Sequence, residues 1–252
     1  MAAGFMPLEG EPTAVAISGN LILAGVNSSE SFVKPSGFLT AVSLNKRNEL
    51  NRCDLGGQPD SVAVSKDGKL VAVAIENERD EDLNDGELPQ LPAGWLAIVP
   101  VKDGKLACQG MKKVEMTGMA DIGTADPEPE FVDFNSRGEI VVTLQENNHL
   151  AIVDGKSGKV LNHFSAGSVK LDQVDTEKDK ALTFTGSQDR LREPDAVKWL
   201  DDNRFVTANE GDFNGGSRGF TIFHKDGRVL FESGMDFEKK IIMAGHYPEK
   251  RS

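Results

Sequence analysis

The residues Arg192-Glu193-Pro194-Asp195-Ala196-Val197-Lys198-Trp199-Leu200, then Asp201-Asp202-Asn203, then Arg204-Phe205-Val206-Thr207-Ala208-Asn209-Glu210-Gly211-Asp212 read as strand, turn, strand. Val197 and Trp199 alternate with smaller or polar neighbours, the period-two signature of a strand. Asp201-Asp202-Asn203 is turn chemistry. Acidic residues stand at both ends of the hairpin.

The same grammar occurs four times. Prolines 12, 59, 129 and 194 each precede an alternating segment, with large apolar residues three and five positions on. Proline is tolerated at the first position of a strand because no ladder donor is required there. Turns follow at Ser18-Gly19-Asn20, Lys66-Asp67-Gly68, Ser136-Arg137-Gly138 and Asp201-Asp202-Asn203. Second strands are expected over 21–26, 70–75, 139–144 and 204–208, and third strands over 38–44, 95–101, 150–154 and 220–224. A short fourth strand is expected near Leu50 and over 105–107, 160–164 and 228–232. A four-stranded antiparallel unit repeated in tandem predicts an all-β chain, a β-propeller, with blades near 11–56, 57–110, 127–167 and 192–235. A β-sandwich is the alternative, but it does not require four copies of one hairpin grammar. Residues 236–252 read as the lead-in to a further blade. Four units can close as a small propeller, but blades of this kind more often number six to eight. An open array would leave apolar faces bare and should pair with itself.

The prolines are 47, 70 and 65 residues apart. A blade takes about 40–50 residues, so the excess is loop. The insertions at 78–94, 109–128, 167–193 and 211–219 all fall on one face of a propeller, where binding is usually built.

The net charge of −12 argues against nucleic acid or an anionic membrane as partner. No apolar run is long enough to span a bilayer, and no leader is visible at the start. Cys53 and Cys108 match no zinc or redox spacing and read as two isolated thiols; a disulfide would imply an oxidising compartment. His149, His163, His224 and His246 have no recognisable partner, and no nucleophile elbow is present.

The strand starts carry Asp60, Glu130 and Asp195 and the paired strand ends carry Glu76, Glu146 and Glu210. On propeller geometry these six carboxylates ring the central channel and are candidate metal ligands, with Ca²⁺ or Mg²⁺ the cations suited to such hard oxygens. Asn77, Asn147 and Asn209 beside them, with Asp212, are candidate ligand-binding residues. The carboxylates could instead act as general acid or base, or anchor loop backbone. The loop Glu78-Arg79-Asp80-Glu81-Asp82-Leu83-Asn84-Asp85-Gly86-Glu87 fails the EF-hand spacing, because from Asp80 the glycine falls seventh and Leu91 twelfth. It reads as a solvated acidic loop.

Two segments go further than general propeller grammar: Glu128-Pro129-Glu130-Phe131-Val132 through Val141 to Asn148, and Arg192 to Val197 through Thr207 to Asp212. They resemble the bacterial secreted propellers described as choice-of-anchor proteins, which overlap with phytase-like esterases. The resemblance covers most of the chain and is sharpest at these two motifs. It implies further blades and a periplasmic or extracellular home. It also implies phytase-like or esterase-like hydrolysis as the activity, and the acidic face read above would then hold a divalent cation, calcium foremost, beside a small phosphate- or ester-bearing anion. The alternative is a non-enzymatic scaffold for a protein partner at the cell surface.

Overall fold

The computed structural model describes residues 5–177, 179, 181–214 and 216–245. Four antiparallel sheets follow one another along the chain. The first is β1 (Glu11–Ser18), β2 (Leu21–Asn27), β3 (Gly37–Ser43) and β4 (Asn48–Asp54). The second is β5 (Pro59–Val64), β6 (Leu70–Ile75) and β7 (Trp95–Lys102), closed by β8 (Lys105–Leu106) and β9 (Lys112–Glu115). The third is β10 (Pro129–Phe134), β11 (Glu139–Leu144), β12 (His149–Asp154) and β13 (Val160–Ser165). A two-stranded hairpin, β14 (Ser168–Val174) and β15 (Gly186–Leu191), intervenes. The fourth sheet is β16 (Pro194–Trp199), β17 (Arg204–Asn209), β18 (Gly219–His224) and β19 (Val229–Glu232), followed by helix α1 (Asp236–Met243).

The fold is an all-β propeller-like array. Inner strands pack in series, β1 on β5, β5 on β10 and β10 on β16. Among the described residues β16 makes no comparable contact with β1, so the array is open.

The core lies between blades rather than within them. Val71, Val73 and Ile75 face the first blade, where they meet Leu23, Leu39 and Ala41. Their alternate neighbours Ala72 and Ala74 face the third blade, against Val142, Leu144 and Ala151. On the other side of that blade Val141, Leu150 and Ile152 meet Val197, Trp199, Phe205 and Phe223. Successive side chains of a strand point to opposite faces, and both faces of an inner blade are covered. This is why β6 reads as the unbroken apolar run Leu70-Val71-Ala72-Val73-Ala74-Ile75. Each large side chain so buried contributes about 1.5–3 kcal/mol.

The end blades lack a second neighbour. Val15 and Ile17, at the positions that are covered in later blades, are 65% and 67% exposed. Val229, Leu230 and Phe231 of β19 are also exposed.

Hydroxyl and amide groups stitch the inner strands together. Thr13 Oγ1 donates to the Pro59 carbonyl, Val132 N–H to Ser61 Oγ, and Thr143 Oγ1 to the Asp195 carbonyl. At two places the next blade comes so close that only glycine fits. A Cβ on Gly37 would lie 2.3 Å from Pro59 Cδ, and one on Gly94 would lie 2.5 Å from Pro129 Cδ.

Some sequence expectations change. The outer place of the second sheet is taken mainly by β9, which pairs with Trp95 to Ile98; the expected strand near 105 covers only the end of β7. The stretch 167–193 is not all loop, since it carries the β14–β15 hairpin. Residues 236–252 begin with a helix, and their remainder from His246 lies outside the described residues. The cysteines are not isolated thiols. Cys53 in β4 and Cys108 after β8 form a disulfide with Cα atoms 5.3 Å apart, joining the outer edges of the first two blades.

Candidate functional site

The local cause of the site is a bulge. In the last three blades the proline pairs with a residue of the second strand, and regular pairing resumes three residues later against a partner only two residues away: Pro59–Ile75 then Val62–Val73, Pro129–Leu144 then Val132–Val142, Pro194–Asn209 then Val197–Thr207. One extra residue on one strand bends the strand and re-aims its side chains. The residue placed in each bulge directly after the proline is Asp60, Glu130 or Asp195.

Carboxylate oxygens of Asp60, Glu76 and Glu130 lie within 4.8 Å of one another. Glu76 is buried and the other two are half-buried. Glu130 Oε2 is buried with no hydrogen-bond partner. Burial is the largest influence on all three and disfavours the charged form. The Asp60 carboxyl is pushed up to about 7, with Asp195, Glu78 and Glu146 adding repulsion. Glu130 is pushed up to about 11 by burial and by Glu76 and Asp60. Glu76 is also raised well above the usual carboxylate range. Asp195 is raised by burial and by Glu210. Glu210 itself is exposed and accepts a 2.9 Å hydrogen bond from Gln145 Nε2.

Glu146, the remaining predicted carboxylate, has a different partner. Its Oε1 receives Arg79 Nη1 at 2.5 Å, while its Oε2 is buried and unpartnered. Arg79 also meets Glu128 Oε2 at 3.6 Å, Asp212 Oδ2 at 3.1 Å and Glu81 Oε1 at 3.6 Å. The Phe213 ring centroid lies 5.1 Å from its Cζ. One guanidinium from the second blade thus ties acids of the third and fourth. Its ion pairs go to these four acids, not to the Asp60–Glu76–Glu130 trio.

A family model, the choice-of-anchor I domain, matches residues 3–215. The chain belongs to the choice-of-anchor I family. Its two sharpest resemblance motifs are the segments that supply Glu128, Glu130, Glu146, Asp195 and Glu210. The solved structures it is similar to are propeller-like. U3-55K aligns with a TM-score of 0.56 at 10% identity over 89% of this chain and 52% of that one. The hydrazine synthase of Kuenenia stuttgartiensis aligns with a TM-score of 0.51 at 12% identity over 85% of this chain and 58% of that one. The chain spans little more than half the length of either, and at these identities the likeness concerns fold alone. A search of curated proteins finds no match.

In the choice-of-anchor I chain the predicted asparagines face the protein. Asn77 Oδ1 accepts from Gln58 N–H, and its amide donates to the Pro92 and Ala93 carbonyls. Asn147 repeats this one blade on: Oδ1 accepts from Glu128 N–H, and Nδ2 donates to the carbonyls of Ile122, Gly123 and Asp126. In the fourth blade Asn148 takes the job, accepting from Glu193 N–H at 3.0 Å. Asn209 instead bonds Thr207, Ser217 and Thr221. Asp212 is half-exposed and reaches Arg79.

Arg79, Glu128 and Glu193 escaped the sequence reading. Glu128 is fully buried against the Glu146 carboxyl, and burial together with that neighbour pushes it up to about 9. Glu193 is equally buried and accepts the Asn214 N–H. Their signal lies in the triplets Gln58-Pro59-Asp60, Glu128-Pro129-Glu130 and Glu193-Pro194-Asp195, where a second polar residue flanks each proline. Arg79 had no such signal. It sits in the loop read as solvated, and only the fold shows it buried.

The histidines are not solitary. His149 Nε2 lies 3.0 Å from His163 Nδ1, and His224 Nδ1 lies 2.9 Å from Asp226. His246 lies outside the described residues. Trp199 is core, with its Nε1–H donating to the Asp133 carbonyl and its ring edge-on to Phe205.

Proposed function

We propose that this surface-associated choice-of-anchor propeller binds a divalent cation, calcium foremost, through Asp60, Glu76 and Glu130, and takes a phosphate- or ester-bearing anion beside it. The observation that carries the reading is the convergence of three carboxylates within 4.8 Å, one with a buried unpartnered oxygen, out of reach of the Arg79 ion pairs. Such a group is costly unless protonated or bound to a cation. An all-oxygen donor set suits Ca²⁺ or Mg²⁺. Glu146, Asp195 and Glu210 extend the negative field around it. A bound cation would offset part of the −12 charge and polarise a phosphoryl or acyl oxygen, the basis for phytase-like or esterase-like hydrolysis.

A periplasmic or extracellular home is supported by the Cys53–Cys108 disulfide, because such bonds persist in oxidising compartments. The second reading, a non-enzymatic scaffold, is favoured by Asn77 and Asn147, whose amides are fully engaged in holding loops.

Isothermal titration of the chelator-treated protein with CaCl2 tests the cation. Wild type should bind, and Asp60→Asn and Glu130→Gln should each weaken binding at least about tenfold, as ligand charge sets affinity in such sites. Equal affinity in wild type and both variants would remove the assignment.

A further inference from the structure

We propose that Arg79 receives the anionic group of the ligand, and that Asp212 fills that place in the ligand-free protein. This rests on the acidic-face reading above and supplies the contact for the anion that it leaves unassigned.

The two edges of the guanidinium differ. The inner nitrogen, Nη1, is held by Glu146 at 2.5 Å and Glu128 at 3.6 Å, both buried. The outer nitrogen, Nη2, is held by Asp212 at 3.1 Å and Glu81 at 3.6 Å, whose side chains are 47% and 72% exposed. Inner partners are locked by packing; outer partners can leave into water.

The outer edge is also incompletely filled. Nε is buried and has no hydrogen-bond partner. Nε–H and the adjacent Nη2–H point the same way and form a fork that fits two oxygens of one oxyanion. Asp212 supplies one hydrogen-bonded oxygen, Oδ2, to Nη2. It is a one-point occupant of a two-point site. Buried Gly86 packs against this edge without a side chain, and a Cβ there would begin 3.9 Å from Nε. The Phe213 ring, 5.1 Å from Cζ, holds the guanidinium plane. A phosphate or carboxylate that bridges Nε and Nη2 satisfies the orphaned donor and releases Asp212. A cation held by Asp60, Glu76 and Glu130 would relieve the repulsion such an anion meets from the surrounding acids.

The test uses calorimetric titration with phenylphosphonate in one arm and benzoate in the other, each with CaCl2 and with chelator. Asp212→Asn, a half-exposed change that should fold normally by circular dichroism, removes the competing charge and should tighten anion binding roughly tenfold. Arg79→Lys, which keeps the charge but loses the fork, should weaken it about tenfold or more. Tighter phenylphosphonate assigns a phosphate, tighter benzoate a carboxylate, and either supports Arg79 as the receiver. Ca²⁺ affinity measured in the same variants separates the two ideas. Loss of Ca²⁺ binding in Asp60→Asn, with anion affinity of Asp212→Asn within twofold of wild type, would overturn this inference alone. An Asp212→Asn gain that persists in chelator, with no Ca²⁺ binding by any variant, would leave this inference standing and overturn the cation reading.

Discussion

Arg79 Nη1 lies 2.5 Å from Glu146 Oε1, and both side chains are buried, although the residues are 67 positions apart and belong to different blades. Removing one partner of such a pair strands the other charge in a poorly solvated place. Arg79→Met should therefore cost about 3–5 kcal/mol in urea denaturation, and adding Glu146→Leu should restore much of it. If the double variant is no more stable than the single one, the pair is not coupled.

The metal-free protein should lose stability from pH 6.5 to 8.5. Asp60 and Glu130 have folded values of about 7 and 11 against ordinary values of 3.8 and 4.5. A raised folded value gives stability that is complete below the ordinary pKa and declines as pH rises through the folded one. His149 acts in the opposite sense. Burial lowers it to about 4 from 6.5, so its contribution falls only below pH 6.5. Above that pH the carboxylates act without that opposition, and melting temperature in chelator should fall steadily. A flat profile would contradict the crowding.

Calcium should reverse that trend. Ligand carboxylates bind cations in the deprotonated form, so binding releases protons and strengthens with pH. At a concentration of 100 Kd the expected gain is about 2.7 kcal/mol. The melting shift should be larger at pH 8 than at pH 5, and cut to about half or less in Asp60→Asn. An equal shift at both pH values would point to a site outside the crowded trio.

The Cys53–Cys108 bond closes a sequence separation of 55 residues. Constraining a loop of that length stabilises by about 4 kcal/mol in the chain-entropy account. The double Cys→Ser variant should lose an amount of this order, and reductant should lower the wild-type melting point but leave the variant unmoved.

Val15 and Ile17 at one end of the array and Val229, Leu230 and Phe231 at the other are bare. Sedimentation velocity should show concentration-dependent self-association, suppressed by Val15→Lys with Ile17→Glu. A monomer at every concentration would rule out these faces as a contact between copies.

Four proline-led hairpins with period-two alternation determined the blade architecture from sequence alone, because strand patterning and turn chemistry are local. The proline-acid pairs also placed Asp60, Glu130 and Asp195 at equivalent positions, since a bulge repeated in each blade aims them alike. Contacts between blades were not legible. The partner of Arg79 lies 67 positions away, that of Cys53 lies 55 away, and Asn148 rather than Asn209 anchors Glu193. No periodicity encodes which loops meet once sheets stack. That choice depends on blade-to-blade packing, which buried an arginine in a loop that otherwise looks made for water and left the last carboxylates short of partners.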